Sequence, residues 1–270
     1  MPKASLIISI YNSIDFLRVV LDSLQYQTEQ DFEIIISEDA QHLNVKEFIH
    51  TYPFKNQYLH LSQEDTGWQK NKALNRAIQA ANADWLIFID GDCVLHPRFV
   101  EFHVKQSAPD RILCGKRVKL NNKLTAVLFS NSVNILRMQH ILFSSFLANS
   151  KGIKFVEEGF FINPTGLLGF IPRMRKMRHL TGSNMSFSKQ AIVAINGFDE
   201  DYVKPAYGED RDLSWRFIAA GYHHYSLRNL AVQYHLHHTE IWQDQSENTQ
   251  KAALKIAANL FVCKNGIQKF

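Results

Sequence analysis

Two periods of hydrophobic and polar residues alternate along the N-terminal third of the chain. SLIISI (Ser5 to Ile10) is a short isoleucine-rich run and reads as a buried strand. Leu17, Val20, Leu21 and Leu24 then recur at helical spacing. FEIIIS (Phe32 to Ser37) and YLHLS (Tyr58 to Ser62) read as further strands. Gly67 to Ala83 holds an alanine-rich helix, and Trp85 to Ile89 is a fourth strand. Strands alternating with helices predict parallel βαβ units with right-handed crossovers, in which ligands bind beyond the carboxyl ends of the strands. Asn12, Asp39, Asp65 and the pair Asp90 and Asp92 all follow strand ends and are expected along one edge of the sheet.

The later half is less regular. Arg111 to Leu120 reads as one strand, Leu124 to Ala148 as one or two helices, and Ser183 to Ser188 as a strand. Glu209 to Gly221 reads as a helix closed by a C-cap glycine, Tyr222 to His238 contains strands, and the tail from Gln245 is expected to end in an amphipathic helix. No internal repeat or low-complexity linker divides the chain, so one α/β domain is expected over 1–240, with a helical extension over 241–270.

Composition narrows the class. The 270 residues are 46% hydrophobic and 21% charged, ordinary for a globular domain. A formal charge of +4 gives no reason to expect a nucleic-acid partner. Cys93, Cys114 and Cys263 are odd in number and lack CxxC spacing, which argues against a disulfide framework or a zinc site and fits a cytoplasmic, reducing setting. The N-terminal apolar run is too short for a signal peptide, and no stretch reaches the 18 or so apolar residues of a membrane span. A soluble or peripheral protein is expected.

The most informative stretch is DWLIFIDGDCVLHP (Asp84 to Pro97), where an apolar strand ends in Asp90 and Asp92 around Gly91. Two carboxylates about 5 Å apart repel by roughly 3 kcal/mol at an effective dielectric of about 20. A hard divalent ion such as Mg²⁺ or Mn²⁺, shared with a substrate's phosphates, relieves that conflict. The first strand is followed by YNSIDFL, without the GxGxxG fingerprint, and no GxxxxGK[ST] loop occurs. A nucleotide would therefore be held by other means.

Taken in order, these segments resemble the family 2 glycosyltransferases, with the nucleotide-sugar-binding GT-A fold. SLIISIYN is similar to the opening strand with its Tyr11–Asn12 end. EIIISED is similar to the second strand, whose final acid, here Asp39, contacts the base; Glu38 precedes it where an aspartate is commoner. GWQKNKALNRAIQAANADWLIFIDGD is similar to the helix and strand leading into the DxD motif, with Lys72 where an arginine is frequent and facing the diphosphate. LTGSNMSFSKQAIVAINGFDED and YGEDRDLSWRFIAAGY are similar to the acceptor-side segment and the ED motif.

The resemblance implies residues 1–120 as the nucleotide-sugar-binding half and 121–240 as the acceptor-binding and catalytic half, with a small helical insertion. It implies a nucleotide-diphospho-sugar donor, a UDP-sugar by family precedent, and a divalent metal held by Asp92. It implies Asp90 against ribose or a metal-bound water, with Gly91 among the nucleotide-sugar contacts. It assigns Asp210 as the base that takes the acceptor proton, Glu209 as its orienting partner, and inversion at the anomeric carbon as the outcome. A late histidine supplies a further metal ligand: His235 is the first choice and His237 and His238 are alternatives, with His238 expected to point away if the strand alternates. Trp68, Gly182 and Asn184 are candidate acceptor or sugar contacts.

The acceptor is expected to be a glycan or lipid-linked species of the cell envelope. The basic, apolar stretch from Leu124 to Arg178 is either a helical cover for the sheet or a peripheral surface on the inner membrane. Two other readings compete. FIDGD also resembles the haloacid-dehalogenase phosphatases, in which Asp90 would be the nucleophile, and the fold could serve as a non-catalytic nucleotide-sugar-binding protein.

Overall fold

The isoleucine run near the start of the chain becomes an interior strand of the main sheet. The computed structural model describes residues 1–205, 207–239 and 244–270. Its first part runs β1 (Ala4–Ile10), α1 (Ile14–Leu24), β2 (Phe32–Glu38), α2 (Leu43–Thr51), β3 (Tyr58–Leu61), α3 (Lys70–Ala80) and β4 (Trp85–Asp90), in the predicted alternation. β2 is buried throughout and β4 up to its last residue, Asp90. Cover on both faces is why these strands read as unbroken apolar runs.

The chain continues through β5 (Cys93–Leu95), α4 (Phe99–Lys105), β6 (Arg111–Cys114) and β7 (Val118–Lys119). Next come α5 (Asn122–Ser130), α6 (Met138–Leu147), α7 (Phe170–Met174), β8 (Met185–Ser188) and α8 (Lys189–Ala194). It closes with α9 (Asp212–Ala219), β9 (His223–Ser226), β10 (Gln233–His235) and α10 (Ser246–Ala257). Seven strands form one sheet in the order β3-β2-β1-β4-β8-β6-β9, in which only β8 runs against the others. The expected α/β architecture with a mostly parallel sheet is therefore adopted. A smaller sheet, β5-β10-β7, stands beside it.

Register sets the functional edge. Ile10 pairs with Glu38 and Ser9 with Asp90, so β1, β2 and β4 end side by side. Asp39 N–H donates to the Ile10 carbonyl at 2.9 Å and Gly91 N–H to that of Ser9 at 2.8 Å, which carries the alignment one residue past each strand. A β-carbon on Gly91 would lie 2.5 Å from the Ile10 side chain, so the DxD turn can cross β1 this closely only with glycine.

Several predicted elements divide. Arg111 to Leu120 becomes β6 and β7 in different sheets, because Asn184 takes the backbone between them: its carbonyl accepts from Gly115 N–H at 2.9 Å and its amide donates to Lys116 O at 3.1 Å. Leu124 to Ala148 breaks at Asn131, whose side chain accepts from Val133 N–H at 3.0 Å to start a 3₁₀ turn, Ser132–Arg137. The helix expected from Glu209 opens as a π-helical turn, Tyr207–Arg211, before α9. The tail does not end in a helix. α10 stops at Ala257, and the segment after it folds back so that Asn196 donates to the carbonyls of Cys263 at 2.7 Å and Gln268 at 2.9 Å. Of the expected extension, residues 241–243 lie outside the described residues.

Two asparagines one turn apart on α3 fasten the halves together. Asn71 donates to the carbonyls of Asp199 at 2.7 Å and Gly208 at 2.8 Å. Asn75 donates to Phe198 O and accepts from Phe198 N–H, both at 2.8 Å. Both side chains are buried. Asn75→Ala leaves a buried donor and acceptor without partners, at a cost of about 2–4 kcal/mol. Urea denaturation should show that loss, with little change in denaturant slope.

Candidate active site

Local βα geometry builds one wall of a cleft of about 710 Å³. Of the predicted residues, Tyr11, Asn12, Asp39, Asp65, Trp68, Asp90, Gly91, Asp92 and His238 line it, joined by Lys70. Tyr11 donates its hydroxyl to Asp65 at 2.7 Å. Asp39 faces inward, accepting from Gln69 N–H at 2.8 Å and the Gln63 amide at 2.7 Å; burial raises its pKa, against the pull of these bonds. Glu38 points the other way, into a buried pair with His42 at 3.0 Å and His60 at 2.8 Å. The two adjacent acids thus take opposite faces of the strand end.

The conflict between Asp90 and Asp92 is divided between separate partners. Asp90 meets Lys70 Nζ at 2.8 Å through one oxygen and Arg117 at 3.2 Å through the other. Asp92 Oδ2 lies 3.3 Å from His235 Nε2 and 3.1 Å from His238 Nε2. Burial pushes the Asp92 carboxyl up, but the two imidazoles and nearby Arg117 outweigh it and hold its pKa well below the usual carboxylate range. Antiparallel pairing places His235 opposite Cys93, and Leu236 N–H donates to Asp92 O at 2.9 Å, which brings this distant segment onto the DxD turn.

The expectation that His238 points away is corrected. β10 ends at His235, so strand alternation stops there and the chain turns His238 back toward Asp92. His237 is exposed. The ligand-capable atoms of Asp92, His235 and His238 all lie within 4.8 Å of one another.

Lys72 is also misplaced by the sequence reading. It is exposed and borders a shallow groove with Glu200 and Lys269. Lys70, two residues and about 200° around the helix from it, takes the position facing Asp90. The same ammonium meets Glu209 at 2.8 Å, and its pKa rises because two carboxylates overcome the desolvation that alone would lower it. Burial, with Asp90 and Asp210 nearby, pushes the Glu209 carboxyl up to about 7 although Lys70 opposes the shift.

Asp210 is likewise raised by burial, against a hydrogen bond from Gly182 N–H at 3.3 Å. A β-carbon on Gly182 would stand 2.4 Å from a Glu209 oxygen, so this glycine admits the acid rather than offering a side-chain contact of its own. The third acid of the segment, Asp212, is absorbed in a buried pair with Arg216 at 3.0 Å.

Asn184 is corrected as well. Its amide donates to Lys116 O and Ala231 O, its oxygen meets His103 Nε2 at 3.1 Å, and it is fully buried, so no atom is left for a sugar. The neighbouring Ser183 hydroxyl instead receives Arg117 at 2.8 Å. Lys70 and Arg117 were missed by the sequence reading. Their only signal was a cation near Trp68 and another just beyond Gly115.

The profile described as glycosyl transferase family 2 matches residues 5–162, and that described as the N-terminal domain of galactosyltransferase matches 172–239. The poly-beta-1,6-N-acetyl-D-glucosamine synthase of Staphylococcus aureus is 25% identical over 221 residues, covering 80% of this chain and 46% of that protein. The chain spans 22% to 46% of the length of the curated relatives it matches. The S. aureus TarS fragment in complex with UDP-GlcNAc shares the fold with a TM-score of 0.62 at 14% identity, over 95% of this chain and 66% of that one. The Pyrobaculum calidifontis mannosyltransferase PcManGT, in complex with GDP-Man and Mn²⁺, does so at 0.55 and 13% identity, over 96% and 63%.

His103, which braces Asn184, is buried, and its pKa falls to about 3 because burial disfavours the cation. Between pH 6.5 and about 3 the unfolded chain binds a proton here that the folded chain refuses, so this contribution to stability is full above pH 6.5 and declines as pH falls. At pH 5 the loss is about 2 kcal/mol. Denaturation at pH 7 and pH 5 should show a smaller difference for His103→Gln than for the parent.

Proposed function

The chain belongs to glycosyl transferase family 2, and from its cleft we propose that it transfers a sugar from a nucleoside-diphosphate sugar to a hydroxyl of a glycan or lipid-linked acceptor in cell-envelope polysaccharide synthesis. The observation that carries this reading is the ammonium of Lys70, 2.8 Å from both Asp90 and Glu209. It joins the DxD carboxylates to the ED carboxylates, so donor and acceptor chemistry share one place. A lone turn of acidic residues has no reason to meet a second acidic segment across a buried cation.

Asp39, at the inner end of the cleft, suits the nucleotide base, with the Tyr11 ring beside it. A uridine donor is supported by the UDP-GlcNAc of the S. aureus neighbour. Lys70 and Arg117 supply positive charge where the diphosphate must lie. One carboxylate and two imidazoles, Asp92, His235 and His238, form a mixed oxygen and nitrogen donor set that suits Mn²⁺ better than Mg²⁺, which favours oxygen ligands. When bound there, such an ion acts as a Lewis acid on the leaving diphosphate.

Asp210 is the base in this reading. Burial raises its proton affinity toward the range in which a carboxylate accepts a hydroxyl proton efficiently, and Gly182 N–H fixes its orientation. Glu209, held by Lys70, orients the acceptor. One base acting opposite the leaving group gives inversion. A cytoplasmic, membrane-peripheral location belongs to the same proposal.

Two measurements test it. Mn²⁺ at about a hundredfold excess over its Kd should stabilise the chain by about 2.7 kcal/mol in a thermal-shift assay. Asp92→Asn and His238→Ala should each remove most of that shift, and an equal response in all three proteins would exclude this site. Asp210→Asn should retain donor binding while turnover falls about 10²- to 10⁴-fold. Unchanged turnover would remove Asp210 from the role of base.

A further inference from the structure

The half of the chain that carries Gly182 is strongly asymmetric in charge. Residues 111–198 hold thirteen lysines and arginines against two acids, Glu157 and Glu158, whereas the whole chain carries a formal +4. Glu158 is buried and consumed by Arg228 and by Arg175 at 2.9 Å. Glu157 is the one acid of this stretch left exposed, 3.9 Å from Arg175, so its outer surface is predominantly basic.

Within it, residues 163–174 form a projecting knuckle. Leu167 is 95% exposed, Met174 73%, and Leu168 and Phe170 each slightly over half. Phe170 and Met174 are one turn apart on α7 and share a face, and Leu167 and Leu168 project from the turn before it. The turn is braced from within. Asn163 Oδ1 receives Thr165 N–H at 3.2 Å, Gly166 N–H reaches Asn163 O at 3.0 Å, and Gly169 N–H reaches Gly166 O at 2.9 Å. Arg173 donates to Pro164 O at 3.2 Å, while Gly169 and Pro172 are buried beneath. These bonds hold the apolar side chains outward, and folding them onto the core would break the turn. Arg173, Lys176 and Arg178 are exposed alongside, whereas Arg175 turns inward.

We propose that this knuckle is a docking surface for an anionic phospholipid bilayer. Leu167, Leu168, Phe170 and Met174 enter the boundary between headgroups and acyl chains, and Arg173, Lys176 and Arg178 meet the lipid phosphates. A soluble polyanion would use the bases and leave the apolar face in water. An apolar protein partner would not call for the three exposed cations Arg173, Lys176 and Arg178 beside the apolar face. Only a charged lipid surface answers both features. Among the described residues no helix is long and apolar enough to cross a membrane, so the contact is peripheral. Three residues separate Arg178 from Gly182, four Cα steps or at most about 14 Å of chain, and Gly182 N–H touches Asp210. A lipid-linked acceptor seated here lies close to the carboxylates; that corollary rests on the transferase reading, whereas bilayer binding does not.

Cosedimentation of the full chain with vesicles of phosphatidylcholine and phosphatidylglycerol tests the proposal. Binding is expected to be at least tenfold tighter than to phosphatidylcholine alone and to weaken steeply as salt rises from about 0.1 M to about 1 M. Combined Arg173→Gln, Lys176→Gln and Arg178→Gln should weaken binding about a hundredfold. Combined Leu167→Ser, Leu168→Ser, Phe170→Ser and Met174→Ser should weaken it at least tenfold while heparin binding stays unchanged. Unaltered thermal midpoints establish that both variants fold. No binding to anionic vesicles, equal binding to neutral ones, or binding unmoved by both variants would overturn the proposal, as would capture by heparin without vesicles. Donor hydrolysis, measured in parallel without vesicles, separates this outcome from the fate of the transferase reading: a knuckle variant that loses vesicles but hydrolyses donor leaves that reading intact.

Discussion

One ammonium group holds the cleft together. Asp90, Glu209 and Asp210 are gathered at the carboxyl edge of the sheet, where water is largely excluded and each charge raises the cost of the next. Lys70 stands between the first two and Arg117 closes the far side of Asp90. A pair of this kind is not a large source of stability, but removing one member leaves an uncompensated buried charge. The constraint therefore acts on arrangement. Wherever α3 goes, the DxD turn and the ED turn must follow. Asn71 and Asn75 enforce this by hydrogen bonding, from the same helix, the backbone at Phe198 and Asp199 and at Gly208, immediately before the ED pair.

The two walls of the cleft are made by different means. The wall bearing Tyr11, Asn12 and Asp39 comes from consecutive βα units, so neighbours in space are close in sequence. The wall bearing His235 and His238 depends on β10 pairing with β5, a contact between segments about half the chain apart. Hydrogen bonds from the paired histidines, with Arg117 nearby, hold the Asp92 carboxyl low. Fixed dipoles and charges placed before substrate arrives are what lets a protein site replace water around a diphosphate.

Outside the cleft, the same long-range logic governs the basic half. Glu158 lies inside it and fixes Arg175 and Arg228, which orients the strand of chain leading to Gly182. Arg173, Lys176 and Arg178 face solvent beside apolar side chains that local turn bonds keep exposed. Charge asymmetry is plain in the sequence, but whether a given arginine turns inward or outward depends on which buried acid it meets.

The first four strands, their parallel alternation with helices, the glycine-spaced acids and the expected sheet edge were legible because they follow from short-range periodicity: apolar runs of strand length, helical spacing, and the rule that strand ends collect ligands. Asp39, Asp90 and Asp92 were placed on the cleft by that reasoning alone. What it missed was decided by partners far away in the chain. Lys70 rather than Lys72 faces Asp90 because the helix phase is set by Asn71 and Asn75 binding the backbone at Phe198, Asp199 and Gly208, ahead of the ED pair. Asn184 is spent on Lys116, Ala231 and His103, and the end of β10 turns His238 inward. Local sequence determines which face of an element is apolar; only packing against distant elements decides which polar atom on the other face finds a partner, because a buried donor or charge goes wherever its complement is held.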